Sequence, residues 1–361
     1  MYIKHKISQS ESRKLINMEY RAKNLDGLRG LAILMVVIFH LNLNFLNILP
    51  NPHILHEIIP FSQYGAFGVN LFFLISGFVI FKSLEKNSNI VFLKKRWLRL
   101  FPSMLMVSII ILIFSYDMKL SNHFVNNSLI NILPGILFFD PQVLGNVFNI
   151  AISSLSGVFW SIYVEVKFYV IIYILYKFFK DNSRHWIAIL YLSYVVFKYL
   201  NIYFPDEQIF SFMIEHARNL SLSFFSWFAT GIYLFYYMKK NNKLDLFLFV
   251  IFAILSSVHT GRLHDISIII FCLLMISIFA FSFKNNLLKK IFSNNFFIFF
   301  GFISYPLYLL HHGFIYIFLS RFQTIFNNNY PYINICISII VLLVITYLVT
   351  IFIEKKFYKK I

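Results

Sequence analysis

Apolar segments about 20 residues long recur along the whole chain, and short polar stretches separate them. A membrane-spanning helix needs about 20 predominantly apolar residues, and about ten segments meet that requirement. They are residues 26–47, 66–84, 102–118, 158–178, 186–203, 220–238, 245–259, 265–283, 296–320 and 332–353. The sequence therefore predicts an all-α, polytopic integral membrane protein.

The composition supports the same class. The chain has 361 residues, of which 59% are hydrophobic and 13% are charged, and it contains 46 Phe. Its net charge of +17 does not predict a nucleic-acid partner, because the cations form short clusters between apolar runs rather than a continuous stripe. Cys272 and Cys336 lie inside apolar runs, which favours packing roles over a disulfide or a metal site.

The connections between the apolar segments alternate in charge. One set is basic: the N-terminal tail, "KSLEKNSNIVFLKKRWLR", "YKFFKDNSRH", "MKKNNK", "FKNNLLKK" and "EKKFYKK". The other set is poor in Lys and Arg: residues 48–65, 119–157, 201–208, 259–265 and 321–331. By the positive-inside rule this predicts an even number of spans with both termini in the cytoplasm.

This topology divides the chain into three parts. Residues 1–24 form a basic cytoplasmic tail, residues 25–355 form the transmembrane domain, and residues 356–361 form a second cytoplasmic tail. The stretch "LINILPGILFFD" within 119–157 is apolar but too short to span, which predicts a re-entrant or interfacial segment.

The first apolar segment, "LDGLRGLAILMVVIFH", carries Arg29 near its start and His40 near its far end. Eleven helical positions advance about 1100°, within about 20° of whole turns, so both side chains share one face about 16 Å apart. With a cytoplasmic N-terminus, Arg29 lies at the inner surface and His40 lies well inside. Two plainer interpretations stay open: Arg29 as a snorkelling anchor and His40 as a hydrogen-bonded core histidine.

Three other predicted helices place polar side chains at a similar depth. The candidates for lining a cavity or binding an acceptor are Asn70, Ser76, Trp160, Ser161, Tyr169, Tyr308 and His311. Glu165 lies among them, and a buried carboxylate costs several kcal/mol unless it is paired or faces water. We expect His40 or His311 to be its partner, and we expect the four helices to enclose a cavity.

A second constellation, "FLKKRWLRLFP", is predicted at the inner surface. Lys95, Arg96 and Arg99 lie within about one helical turn, and a guanidinium group matches phosphate through two parallel hydrogen bonds. An ordinary positive-inside loop is the alternative. Together with Arg29, these residues predict a mouth for an anionic ligand, from which a long arm could reach about 16 Å inward to His40.

Five of these stretches occur together in one known family. The segments "LDGLRGLAILMVVIFH", "GVNLFFLISGFVI", "FLKKRWLRLFP", "WSIYVEVKFY" and "SYPLYLLHH" resemble, in the family's order, the motifs of the acyltransferase-3 membrane O-acyltransferases. Members of that family O-acetylate bacterial surface polysaccharides. The motifs span residues 25 to about 312, which is most of the chain.

The resemblance implies a fold and a reaction. It implies that the transmembrane domain is an acyltransferase in the bacterial cytoplasmic membrane, with cytoplasmic acetyl-CoA as acyl donor, no metal, and a hydroxyl of a glycan or lipid-linked glycan as acceptor. It also implies that His40 is the catalytic base and that Arg29, Arg96 and Arg99 bind the donor or are essential. Where the family often has Glu-Glu-Gln, this chain has Glu165, Val166 and Lys167, so a second carboxylate has no role here.

On this basis His40 accepts the proton of the attacking hydroxyl, and Glu165 orients the imidazole. A covalent relay through Ser76 or Ser161 is the less favoured route, because serines in membrane helices mostly bond their own helix. Three alternatives differ in kind: a secondary transporter, which would usually show internal repeats; the same fold with succinyl or another acyl donor; and a non-enzymatic lipid-binding scaffold.

Overall fold

The structure is a computed structural model that describes residues 9–44, 59, 61–87, 89–116, 128–261, 264–326 and 331–358. Across these residues the chain is helical and forms no β-strand, so the predicted all-α class is confirmed. The helices are α1 Gln9–Asn44, α2 Gly68–Lys86, α3 Asn89–Ser115, α4 Ile132–Leu137, α5 Pro141–Phe148, α6 Trp160–Phe179, α7 Ser183–Tyr203, α8 Gln208–Asn219, α9 Phe225–Lys240, α10 Lys243–Gly261, α11 Ile266–Phe281, α12 Asn286–Phe292, α13 Asn295–Phe302, α14 Ser304–Phe326, α15 Pro331–Val349 and α16 Lys355–Tyr358.

Six helical segments of the described chain are long and apolar enough to cross a membrane. The number rises to eight if two bent helix pairs each count as one span. These pairs are α11 with α12, bent by 97°, and α13 with α14, bent by 71°. The protein is therefore a multi-pass membrane protein, whereas the count of ten spans and the cytoplasmic position of the termini stay predictions.

The core of the bundle is the crossing of α2 and α9. All residues of α9 from Phe225 to Tyr236 are buried, as expected for a helix that other helices surround on every side. The crossing is close because glycine stands on both sides: a Cβ on Gly77 would lie 2.1 Å from the Phe228 carbonyl oxygen, and one on Gly231 would lie 2.1 Å from that of Leu74. Small residues let helix backbones approach in this way, and the approach fixes the position of α2.

Helix α1 packs against α13, α14 and α2. Beside Arg29 the contact again depends on glycine, since a Cβ on Gly30 would lie 2.0 Å from the carbonyl oxygen of Phe297. A turn at Ile303 separates α13 from α14, and the sharp bend turns α14 along the face of α1 that carries Arg29 and His40. The predicted common face of these two residues is thus confirmed.

Three differences from the sequence predictions concern the ends and the connections. Helix α1 begins at Gln9, so helix extends into the predicted N-terminal tail. The stretch 129–137 forms a short 3₁₀ turn and α4, which pack on α3, with Gly135 beside Met104. Near the other terminus, α15 passes into a π-helical segment, Thr350–Glu354. Residues 1–8, most of the connection 48–60, part of 119–157 and residues 262–263, 327–330 and 359–361 lie outside the described residues.

Candidate active site

A narrow cavity lies between α1, α2, α3, α6 and α14. It is lined by Arg29, Val69, Phe72, Phe73, Ile75, Ser76, Val79, Arg99, Leu100, Ser161, Ile162, Glu165, Tyr169, Ser304, Tyr305 and Tyr308, and we call it the central cavity. The centre of a water-sized sphere can move through about 60 Å³ of it. The predicted convergence of polar groups from several helices on one cavity is therefore observed for most of the candidates, but the cavity is slender.

Two wider spaces adjoin the central cavity. The basic vestibule, of about 500 Å³, is lined by Arg29, Val79, Lys82, Ser83, Lys86, Asn87, Lys95, Arg96 and Arg99. The mixed vestibule, of about 620 Å³, is lined by Asp26, Arg29, Arg99, Asn295, Ile298, Phe299, Gly301, Phe302, Ser304, Tyr305, Thr350, Glu354 and Lys355. Arg29 and Arg99 line all three spaces, so these two guanidinium groups stand where the spaces meet.

Charge is distributed unequally between the two vestibules. The basic vestibule has six cationic side chains in its lining and no carboxylate among its described residues. In the mixed vestibule Asp26 accepts a hydrogen bond from Arg29 Nη1 at 2.8 Å, and one oxygen of Glu354 is buried without a hydrogen-bond partner. The basic vestibule is therefore the one suited to a polyanion.

Glu165 lies in the central cavity and is bonded to two hydroxyl groups. Ser76 Oγ donates to Glu165 Oε1 at 2.6 Å, and the Tyr169 hydroxyl donates to the same oxygen. The Arg96 guanidinium lies 5.0 Å from the centre of the Tyr169 ring. The expected pairing of Glu165 with His40 or His311 is wrong, because similar depth in the membrane does not fix which faces of two helices meet.

His40 forms a cluster with His311 and His312 of α14. The ring centres of His40 and His311 are 4.8 Å apart, and those of His40 and His312 are 4.9 Å apart. His311 is buried and His40 is partly exposed. The cluster lies just beyond the end of the central cavity, since Tyr308, which lines the cavity, has its ring centre 5.6 Å from that of His311. Neither His40 nor His311 lines the central cavity itself.

The hydrogen bonds of the cluster define its protonation. His311 Nδ1 lies 2.7 Å from the Tyr308 carbonyl oxygen, and His40 Nδ1 lies 2.9 Å from that of Val36. Because a carbonyl oxygen only accepts, both Nδ1 atoms carry a proton. The Nε2 of neutral His311 is then an acceptor, and it lies 3.2 Å from His40 Nδ1. Neutral His40 therefore has its lone pair on Nε2, where it can act as a base.

Tyr308 closes the cavity beside this cluster. Its hydroxyl lies 2.7 Å from Ser161 Oγ and 3.1 Å from the Val158 carbonyl oxygen. Ser161 also donates to the Val158 carbonyl oxygen, at 3.4 Å, as expected for a serine that bonds its own helix.

Two further predicted residues lie apart from the central cavity. Trp160 is exposed and packs against Phe73 and Phe224, and Asn70 is partly buried in the first turn of α2. Neither residue lines the central cavity, because each lies on a face of its helix that does not border the cavity. Four residues that the sequence analysis did not select also line these spaces: Tyr305 lines the central cavity and the mixed vestibule, Glu354 lines the mixed vestibule, and Lys82 and Lys86 line the basic vestibule.

Those four had weak signals in the sequence. Tyr305 stands inside "SYPLYLLHH", and its hydroxyl donates to the Leu100 carbonyl oxygen at 2.9 Å. Lys82 and Lys86 stand in a segment whose charge fits any cytoplasmic connection. Glu354 is the first residue of the basic stretch "EKKFYKK", directly after the last predicted span. Among the described residues, no group of three or more His, Cys, Asp or Glu side chains is arranged to hold a metal ion.

Comparison with known proteins places this geometry in a family. Residues 23–354 match the model of a family described as an acyltransferase domain, type 3. A peptidoglycan O-acetyltransferase, OatA, of Listeria monocytogenes is 27% identical over 156 residues, which cover 40% of this chain and 19% of the relative. The match thus spans about a fifth of that relative's length. No solved structure matches the chain.

The family match covers nearly all of the helical bundle, including α1 from residue 23 onward, the basic vestibule, the central cavity and the histidine cluster. The matched residues include all five motifs that carry the resemblance. The chain therefore belongs to the acyltransferase-3 family of membrane acyltransferases.

Proposed function

We propose that this protein transfers an acetyl group from cytoplasmic acetyl-CoA to a hydroxyl of a surface polysaccharide or its lipid-linked precursor, at the bacterial cytoplasmic membrane. The acceptor would be a glycan of the O-antigen, capsule or exopolysaccharide kind. The observation that carries the proposal is the position of Arg29 and Arg99, which line both the basic vestibule and the central cavity. A ligand with phosphates and a long neutral arm fits that junction of spaces.

The basic vestibule would bind the nucleotide end of the donor. Arg29, Lys95, Arg96 and Arg99 all line it, and guanidinium groups hold phosphate through parallel hydrogen bonds. With the phosphates held there, the pantetheine arm would enter the central cavity between Arg29 and Arg99. This assigns the four cations predicted from the sequence to donor binding.

The central cavity would hold the arm. An arm with two amide groups needs hydrogen-bond partners in a site away from water, because an unpaired buried amide costs about 1–3 kcal/mol. The cavity offers the hydroxyls of Ser76, Ser161, Tyr169 and Tyr308 and the carboxylate of Glu165. Glu165 would thus accept from the donor and fix Ser76 and Tyr169, rather than act on His40.

His40 would be the general base, and His311 would position it. As the acceptor hydroxyl attacks the thioester carbonyl carbon, its proton moves to His40 Nε2 and the carbon–sulfur bond breaks. The imidazolium then returns the proton to the leaving thiolate. During the attack the Nδ1–H of His40 stays bonded to the Val36 carbonyl oxygen and His311 Nε2, which stabilises the imidazolium in its orientation.

The support from relatives concerns the type of acceptor. The partial relative is by its name a peptidoglycan O-acetyltransferase, and peptidoglycan is a glycan. Acetyl-CoA is the donor that the family resemblance implies, and the basic vestibule with the adjoining central cavity fits a CoA thioester. Because these spaces do not distinguish one short acyl group from another, succinyl-CoA serves as the comparison donor in the test.

The test uses cells that produce the full chain, the His40→Ala variant or neither. Surface polysaccharide is extracted, and acyl groups released by mild alkali are measured. We expect ester-linked acetate only with the unmodified chain. Purified protein in liposomes with labelled acetyl-CoA or succinyl-CoA then identifies the donor. Equal ester content in all three strains, or uptake of a solute without transfer, would contradict the proposal.

A further inference from the structure

The basic vestibule holds more positive charge than two phosphates require. Six cations line it: Arg29, Lys82, Lys86, Lys95, Arg96 and Arg99. Two of them, Lys82 and Lys86, come from the last turns of α2 and not from α1 or α3. They are exposed and stand four residues apart, so they are neighbours on one face of the helix. Like charges in this arrangement repel each other, and a bound anion relieves that repulsion.

Helix α2 connects the central cavity with the vestibule. Ser76 lines the central cavity, Val79 lines both spaces, and Lys82 and Lys86 line the vestibule alone. At 1.5 Å per residue, Val79 lies about 4.5 Å from Ser76 along the axis, Lys82 about 9 Å and Lys86 about 15 Å. Along this wall the two lysines therefore lie farther from Ser76 than Val79, which lines both spaces, on the side away from the central cavity.

A CoA thioester has its groups in a matching order. The acyl group is at the tip, the pantetheine arm follows, then the diphosphate, and last the adenosine with a phosphate monoester on its 3′-hydroxyl. If the arm enters the central cavity first, the diphosphate reaches the junction at Arg29 and Arg99. The 3′-phosphate then remains in the outer part of the vestibule, where Lys82 and Lys86 stand.

We propose that Lys82 and Lys86 bind the ribose 3′-phosphate of the donor, so that the protein selects CoA thioesters over dephospho-CoA thioesters. The inference rests on the proposed function, because it takes a CoA thioester as donor. A phosphate monoester carries nearly two negative charges at neutral pH, as a phosphorylated side chain does. Two ammonium groups on flexible stems suit it, because each is a compact positive charge with N–H donors that can turn toward the phosphate oxygens. The same exposed position suits recognition rather than chemistry.

The test measures binding without turnover, so the acceptor need not be known. Full-length protein in detergent is loaded with labelled acetyl-CoA, which is displaced by CoA or by dephospho-CoA. We expect the unmodified protein to bind CoA about tenfold or more tightly than dephospho-CoA, as for a charge-assisted contact near the surface. In K82A/K86A the affinity for CoA should fall to that for dephospho-CoA, which should itself stay unchanged.

The matched control removes two lysines elsewhere. Lys94 and Lys243 are exposed and line neither the central cavity nor a vestibule, so K94A/K243A should keep the preference for CoA. Equal affinity of the unmodified protein for both compounds would overturn the assignment and leave the proposed function intact. If K82A/K86A lost affinity equally for CoA and for dephospho-CoA, the assignment would be overturned too, because the lysines would then act by general charge attraction. Binding of neither compound by the unmodified protein would overturn the proposed function as well.

Discussion

The basic vestibule and the histidine cluster lie about 16 Å apart along α1, and they are built on opposite principles. The vestibule gathers six cations around an open space, with no carboxylate in its described lining. The cluster gathers three imidazoles around a packed contact, where hydrogen bonds to backbone carbonyl oxygens set the protonation of two of them.

The difference shows how one helix, α1, can contribute both to donor binding at the vestibule and to acyl transfer at the histidine cluster. Charge in the vestibule can attract a polyanion from solution, because water and counterions moderate the repulsion between cations there. In the packed region a charged group would be costly, so the cluster relies on neutral rings with defined donors and acceptors. We therefore expect changes in the vestibule to affect donor affinity and changes in the cluster to affect the rate of transfer.

The largest expected effect is in the cluster. His40→Ala removes the lone pair on Nε2, and general bases contribute about 10²- to 10⁴-fold to rate. We expect kcat for acetyl transfer to fall by that factor while the affinity for CoA stays within about twofold of the unmodified protein. His264→Ala, which changes an exposed histidine, serves as the control. A variant that folds and acetylates at the normal rate would exclude His40 as the base.

The next effect is expected at the junction of the spaces. Arg99→Ala removes a guanidinium that lines all three, and a charge-assisted contact is worth about 1.5–3 kcal/mol. We expect KM for acetyl-CoA to rise about 10- to 100-fold with a smaller change in kcat. Arg99→Lys should restore only part of the affinity, because an ammonium group cannot form the two parallel bonds.

The control for this variant is Arg218→Ala, since Arg218 is exposed at the end of α8 and lines none of the three spaces. An Arg99→Ala protein with unchanged KM and a lowered kcat would reverse the comparison, because the vestibule would then act on the rate rather than on affinity.

A third change tests the positioning role of His311. His311→Phe keeps a ring of similar size but removes the acceptor that faces His40 Nδ1. We expect kcat to fall about 10- to 100-fold, the equivalent of one hydrogen bond to a charged imidazolium, with little change in KM. The double variant with His40→Ala should be no slower than His40→Ala alone, because His311 acts through His40.

His312→Phe is the comparison for that experiment. His312 also contacts His40, with ring centres 4.9 Å apart and planes at 80°. Because phenylalanine preserves an edge-to-face ring contact of this kind, we expect kcat to fall by only a few fold. If the two variants slow transfer equally, the rate depends on the packing around His40 and not on the Nε2 acceptor of His311.

The sequence was sufficient to predict those features of the site that depend on the geometry of a single helix. The spacing of Arg29 and His40 gave their common face, because helical geometry fixes the relative direction of two residues on the same helix. The grouping of Lys95, Arg96 and Arg99 followed for the same reason, and all three line the basic vestibule.

Features that depend on how helices rotate against each other did not follow from the sequence. Glu165 and His40 were expected to meet from depth alone, yet Glu165 bonds Ser76 and Tyr169. The rotation is set by close contacts such as those of Gly77 with Phe228 and of Gly30 with Phe297, which hydropathy does not reveal. The π-helical segment that carries Glu354 has no pattern of its own in an apolar run.

The smallest expected effect lies at the end of the central cavity, between the two regions. Ser161→Ala removes a hydroxyl that bonds the Tyr308 hydroxyl, but Tyr308 keeps the Val158 carbonyl oxygen as its acceptor at 3.1 Å. Since no buried polar group is left unpaired, the loss is about 0.5–1.5 kcal/mol at most, and we expect kcat to fall about tenfold or less. Tyr308→Phe removes the hydroxyl that bonds both Ser161 and the Val158 carbonyl oxygen, so it should lower kcat more than Ser161→Ala does. A Ser161→Ala protein as slow as His40→Ala would instead indicate an acyl group carried on Ser161, and mass spectrometry of the protein with acetyl-CoA would detect that ester directly.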